Sequence, residues 1–381
     1  MPLLGSGVTL NVQIGAEIPT PAPPELLDSL ASVEVTHNDY ARSGFQISLW
    51  LGRSQQFSMD YPLLSGSSVL SPFNRVILSV LMGSAATVLM DGIITHHQLM
   101  PSNQPGASML IVTGEDVSLM MDLESKKVRR NPMSDDLIVR EVLASYAKYV
   151  PVSEVTPAPA SNGASVQHEP FQDGTDLQYV LELAGRYGYA FYVRPGPVPG
   201  VNEVYWGPEI RPGVEQSALS VNLGPLTNVE FINFTYNALS PETIGGNIQD
   251  PASSAVQKLL VAALDELVLS RQPALTSQRN VRSSLMGPAS GLSYAQALAR
   301  AQARVNASSN QTIVAEGQLD TARYGGILQA RSLVGVRGAG ASYDGEYYVK
   351  SVTHTLRPGS YTQAFTLSRQ GTGSASPVVK P

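Results

Sequence analysis

Residues 88–99 read VLMDGIITHHQL, and after a short turn residues 107–116 read ASMLIVTGED. Near the other end of the chain, residues 347–356 read YYVKSVTHTL and, after a second turn, residues 361–371 read YTQAFTLSRQG. Both are β-hairpins by composition: β-branched, aromatic and other apolar residues run in short stretches that Gly and Pro interrupt. They align with Ile94-Thr95-His96 against Val352-Thr353-His354. Each hairpin falls late in a strand-rich region, so the pair predicts a duplicated β-barrel, one in each half of the chain.

The surrounding sequence extends this reading. Residues 7–15 (GVTLNVQIG) alternate with the period of a strand, and further strands are expected over 30–36, 45–51, 74–81, 86–90 and 108–113. Pro19, Pro21, Pro23 and Pro24 predict an extended, polyproline-like linker after the first of these. Beyond residue 126 the pattern turns helical. Ser134 precedes a helix carrying Ile138, Val139, Val142, Leu143, Tyr146 and Tyr149. Thr175 and Gln178 form a capping box for a second helix with Leu177, Val180, Leu181, Ala184 and Tyr187, which Gly188 stops. From about residue 205 strands return, with 226–236 the clearest. Helices are expected over 255–269 and, capped by Ser293 and rich in alanine, over 294–305. Strands at 311–319, 327–336, 346–355 and 361–368 close the chain.

The expected fold class is therefore α+β and mostly β, with two antiparallel, tube-like β-barrel domains per chain and helical insertions. The first barrel is placed at 1–125, a connecting helical module at 126–205, the second barrel at 206–247 with 311–381, and a helical insertion at 248–310.

Composition excludes several functions. The 381 residues include no cysteine, which rules out disulfides, thiolate metal sites and a cysteine nucleophile. Charged residues make up 15%, against a usual share of about 25%. That suits a β-rich protein whose surface is covered by partners. Net charge is −6 and unevenly spread: residues 1–125 hold 11 acidic and 3 basic side chains, and the remainder hold 20 and 22. No basic patch points to nucleic acid, and the run Lys126-Lys127-Val128-Arg129-Arg130 reads as a solvated linker. The stretch 92–114 lacks Asp, Glu, Lys and Arg but holds His, Pro, Gln and Asn, so no membrane helix is expected. No Lys or Arg precedes Arg42, so the basic region of a secretory signal is missing and assembly in the cytoplasm is expected.

Catalytic signatures are also missing. There is no G-x-S-x-G elbow, P-loop, dinucleotide fingerprint or H-E-x-x-H. His37, His96, His97, His168 and His354 are scattered, and His96 and His354 read as strand positions near a barrel rim. Asp173, Asp176 and Glu182 read as first-turn and exposed-face helix charges. No catalytic, cofactor-binding or metal-ligating residue is assigned, no cofactor is expected, and the chain is not expected to be an enzyme.

Two similar barrels per chain carry a geometric consequence, since three chains around one axis would set six similar barrels in a ring. The residues also carry a family resemblance. The run Gly345-Glu346-Tyr347-Tyr348-Val349 with Val352-Thr353-His354, Tyr361 and Phe365-Thr366-Leu367-Ser368-Arg369 resembles the end of phage late-control protein D and related tail hubs. Gly92-Ile93-Ile94-Thr95 with Leu110-Ile111-Val112-Thr113-Gly114-Glu115-Asp116 resembles the end of their first barrel, and 134–149 with 175–192 resembles the module between barrels in VgrG-type hubs. The resemblance covers most of 30–370. It implies a structural baseplate hub of a phage tail or contractile injection system: a homotrimer of pseudo-sixfold symmetry joining a hexameric tail tube to a trimeric spike, alongside other baseplate proteins. It implies no specific nucleic acid and no membrane insertion. Because 381 ends a Gly/Ser/Pro-rich tail without needle repeats, the spike is expected to be a separate polypeptide. The alternatives are a hydrolase on a β-barrel scaffold and a secreted carbohydrate-binding β protein.

Overall fold

The computed structural model describes residues 3–4, 7–39, 41–51, 69–104, 106–158, 170–209, 216–249, 255–287 and 292–375. His168 lies outside them. The first half is built from β1 (Val8–Gly15), β2 (Leu30–Asn38), β3 (Gly44–Leu51), β4 (Arg75–Met82), β5 (Ala85–Met100) and β6 (Ser108–Asp116). They lie in the order β1-β4-β5-β6-β3-β2, and every neighbouring pair is antiparallel. Val8, Leu10, Val12 and Ile14 of β1 alternate with half-buried residues, as a one-sided strand requires. They share one apolar core with Val33 and Val35 of β2, at the far end of the sheet order. The sheet must therefore curl until its two ends face each other.

The curl stops short of closure, which corrects the expectation of a closed barrel: β2 bonds to β3 on one edge and to a strand of the other half on the other. The proline-rich segment is not a free linker either. Thr20 and Pro21 pair back onto Ile14 and Gln13, and Pro24–Asp28 forms a helical turn that drives Leu26 into the core. Proline at the first helical position is pre-set for that turn.

The connecting module contains β7 (Ser125–Arg129), α1 (Asp135–Ala144), β8 (Val152–Val155), β9 (Phe171–Thr175), α2 (Asp176–Tyr187), β10 (Tyr189–Pro195) and β11 (Asn202–Pro208). Both bonds of the Thr175/Gln178 capping box form, and Gly188 takes the left-handed conformation at the C-cap. Ile138, Val139, Val142 and Leu143 of α1 pack with Leu177, Val180, Leu183 and Ala184 of α2 around buried Trp206. Leu181, read as part of the inner stripe, is exposed, and Leu183 fills the core instead. The basic run is no linker. It is strand β7, paired with β9, and Lys126 Nζ reaches Asp176 at 2.7 Å. Asp176 is correspondingly buried, not a surface charge: Tyr146 and Gln172 also donate to it.

The second half opens with β12 (Gln216–Ser220) and β13 (Val229–Tyr236). An insertion follows, with β14 (Glu242–Gln249), β15 (Val256–Val261), β16 (Ser270–Pro273), β17 (Arg282–Leu285) and α3 (Tyr294–Asn310). The chain then returns through β18 (Ile313–Asp320), β19 (Leu333–Arg337), β20 (Gly345–Arg357), β21 (Ser360–Arg369) and β22 (Gly371–Ser374). The helix expected over 255–269 is absent. Leu259 and Val261 are buried in alternation, but Val256 and Leu260 on the outer face are also apolar and hid the period of two. This strand edges the small sheet β15-β14-β17, whose inner face meets Ala297, Ala301 and Val305 at every fourth position of α3. Ser293 caps α3 as expected, and Gln296 completes a capping box there.

Strands β12, β13 and β18 to β21 lie in the order β12-β19-β20-β21-β18-β13. Counted along the chain, both halves thus run first, fourth, fifth, sixth, third, second. One departure is that β12 runs parallel to β19, whereas β1 is antiparallel to β4. Asn228 accepts from the Ser220 N–H at 2.7 Å and donates to the Ala218 carbonyl at 2.9 Å, tying the end of β12 to the start of β13.

Candidate functional site: the seam and two open edges

The halves meet where β2 pairs antiparallel with β20, from Asn38 opposite Ser351 to Val33 opposite Leu356. Thr36 and Thr353 face each other with hydroxyl oxygens 3.1 Å apart. Beside them the rings of His37 and His354 meet edge to face at 5.5 Å. His354 lies 2.8 Å from the Tyr361 hydroxyl. Burial drives the His354 imidazole down to about 3, and burial, then His354 and Arg331, holds His37 well below its ordinary value. Burial thus favours the neutral form of both rings. His96, by contrast, is exposed, and its ring nitrogen lies 2.8 Å from the hydroxyl of its neighbour Thr95.

Arg331 locks this seam to the connecting module. Its side chain is buried, and its backbone takes the left-handed conformation at φ 63°. Nε donates to the Asn38 carbonyl at 3.0 Å, Nη2 to Ser43 Oγ at 2.9 Å, and Nη1 to the Val193 carbonyl at 3.4 Å. The guanidinium lies 4.0 Å from the centre of the Tyr192 ring. One residue of the second half thereby grips the first half and the connector together. A second polar group sits at the end of β2: Lys350 Nζ lies 3.7 Å from Asp39 and 3.5 Å from Glu209. Burial, followed by Glu209, raises the Asp39 carboxyl to about 7 against the pull of Lys350.

A cavity of about 460 Å³ opens at the seam, lined by His37, His354 and Arg331 together with Arg194 and Glu203. Arg194 and Glu203 pair with each other at 2.8 Å. The lining offers two neutral imidazoles and an internally paired ion pair, with no activated nucleophile. Among the described residues no three His, Asp or Glu side chains could hold a metal ion, and no helix is long and apolar enough to cross a membrane.

Among the described residues, one strand edge in each half has no strand partner. The start of β20 pairs with β19, and the same edge then takes β2 beyond Lys350, where the ladder shifts by one residue. In β5 the first part pairs with β4, the ladder shifts at Thr95, and His96–Met100 pair with β6 alone among the described residues. Likewise β13, the counterpart of β2, pairs with β18 and, among the described residues, carries no strand on its other edge. The matching shifts fix the equivalence: Ile94 answers to Val349 and Gln98 to Thr353. The sequence alignment of Ile94 with Val352 was therefore out by three, and Leu99, not His96, is the counterpart of His354.

No family model and no curated protein matches this sequence. Solved structures do match in fold. The 43 kDa tail protein of prophage MuSo2 from Shewanella oneidensis superposes with a TM-score of 0.64 at 12% identity, over 95% of this chain and 98% of that one. A tail protein from Neisseria meningitidis MC58 gives 0.63 at 13% identity, over 95% and 97%. The E. coli c3393 protein, a type VI secretion component described as similar to T4 tail proteins gp27 and gp5, gives 0.56 at 12% identity, over 93% and 78%. The chain thus has the fold of phage tail and type VI secretion proteins.

Proposed function

We propose that this chain is a structural hub of a contractile phage tail or injection-system baseplate, acting as a homotrimer. Six similar curled sheets in a ring would present a pseudo-sixfold face to a hexameric tail tube and a threefold face to a spike, with other baseplate proteins around it. In this reading the chain adapts symmetry and catalyses nothing, and it uses no cofactor or metal. The domains are those of two duplicated units, 1–125 and 206–247 with 311–381, joined by 126–205 and bearing the insertion 248–310.

The observation that carries the reading is the repeat of one six-strand order in both halves, with the far end of β5 and the outer edge of β13 left without a strand partner among the described residues. Such edges are different from one another, so copies joined through them run head to tail, and three copies close a ring of six halves. Analytical ultracentrifugation tests it: a species of three times the 40.6 kDa chain mass is expected. A monomer at micromolar concentration, with turnover of a glycan or ester, would overturn it.

A further inference from the structure

We infer that β13 of one copy pairs antiparallel with the free end of β5 in a second copy, reproducing between chains the ladder that β2 and β20 make within one. The number of copies rests on the trimer reading; the ladder itself follows from the duplication.

Three observations set the register. In β2 the ladder to β3 shifts between Leu30 and Ser32, and in β13 the ladder to β18 shifts between Val229 and Phe231, so Thr36 answers to Thr235. The shifts at Thr95 and Lys350 make Gln98 answer to Thr353. The segment ahead of each seam agrees. Arg331 N–H donates to the Val349 carbonyl at 2.7 Å and Val349 N–H to the Ser332 carbonyl at 2.9 Å; Phe73 N–H donates to the Ile94 carbonyl at 2.8 Å and Ile94 N–H to the Asn74 carbonyl at 2.9 Å. Thr36 faces Thr353 within the chain, so Thr235 faces Gln98 between chains, with Phe234 opposite Leu99 and Tyr236 opposite His97.

Phe73 is thereby the counterpart of Arg331. Both are non-glycine residues in the left-handed conformation, at φ 66° and 63°. Arg331 is buried across the internal seam, whereas Phe73 is 60% exposed beside the free end of β5. A large apolar side chain held out on a constrained backbone is an anchor without its socket, and aromatic residues dominate such anchors. Phe231 and Tyr236 on β13, and Leu99 and Met100 on β5, are likewise exposed at the two open edges. Long apolar edges are what folded chains cover by strand addition.

The lack of native cysteine makes the test direct. Gln98→Cys and Thr235→Cys are mixed as separate single variants and oxidised. A reductant-sensitive covalent pair of chains is expected, and the Gln98→Cys/Glu230→Cys mixture, out of register, should give none. The double variant Gln98→Cys/Thr235→Cys should link three chains into a closed ring. Phe73→Asn, which tolerates the left-handed backbone, should fold with an unchanged circular dichroism spectrum and associate at least about tenfold more weakly. A trimer by mass that fails to link, or links equally through Glu230→Cys, overturns the ladder and leaves the trimer standing. Linked chains longer than three support the ladder and overturn the trimer.

Discussion

Arg331→Met keeps most of the aliphatic length of the side chain and removes its five N–H donors. In the native seam those donors serve Asn38, Ser43 and Val193, contributed by the first half and the connector. Hydrogen bonds from a charged donor contribute about 1.5–3 kcal/mol each, so the four it makes, two of them to Asn38, set a ceiling of roughly 6–12 kcal/mol. Burial also lowers the pKa of this guanidinium, a sign that its desolvation is incompletely offset, and the variant is relieved of that cost. The net destabilisation expected is about 2–4 kcal/mol. It falls on the junction and spares each core, since the apolar clusters of the two halves do not include position 331. Urea unfolding followed by circular dichroism and by the fluorescence of the two tryptophans should therefore lose coincidence. Trp206 reports the connector core and Trp50 the first half. A variant with the wild-type midpoint and coincident transitions would refute the claim that Arg331 couples the parts.

Three further substitutions probe the same architecture. The Asp39 carboxyl sits at about 7 in the folded chain against an ordinary value of 3.8, so the fold holds a proton that the unfolded chain has lost, and stability declines as pH rises through that window. Asp39→Asn removes the decline: near pH 4 it should match the wild type, and above pH 7.5 it should exceed it by at most about 4 kcal/mol, read from urea midpoints across pH; a constant difference at every pH would refute this. At Gly317 an added Cβ would lie 2.5 Å from the Phe365 ring and 2.6 Å from the Phe231 carbonyl. Gly317→Ala should cost about 1–3 kcal/mol by thermal unfolding, whereas Gly287→Ala, with open space around it, should change little.

Local signals were legible where neighbours in sequence make the structure. The capping box at Thr175, the N-cap at Ser293 and the alternation of β1 are of this kind. Readings failed where the partner lay far away or the solvent face was apolar. The Lys126–Arg130 run looked solvated because its strand partner, β9, follows only after α1 and β8. Asp176 looked exposed because Lys126 and Tyr146 come from other elements. Arg331 gave no signal beyond being a lone arginine in an apolar, glycine-flanked stretch, since its acceptors lie hundreds of positions earlier for Asn38 and Ser43. The left-handed conformations of Arg331 and Phe73, which tie the two seams together, are unusual for such residues and leave no mark in composition.

The sequence by itself determined that this chain is mostly β, that it lacks the cysteine that thiol and disulfide chemistry need, and that a hairpin recurs in its two halves. Those are properties of residue type and local period. Only the tertiary structure decided the true register of the repeat, the opening of both curled sheets, and which edges the chain satisfies itself. Strand pairing is non-local, and a shift of one residue reverses every side chain across a sheet. The two edges left open, with Phe73 beside one of them, exist only once all the other pairings have been made.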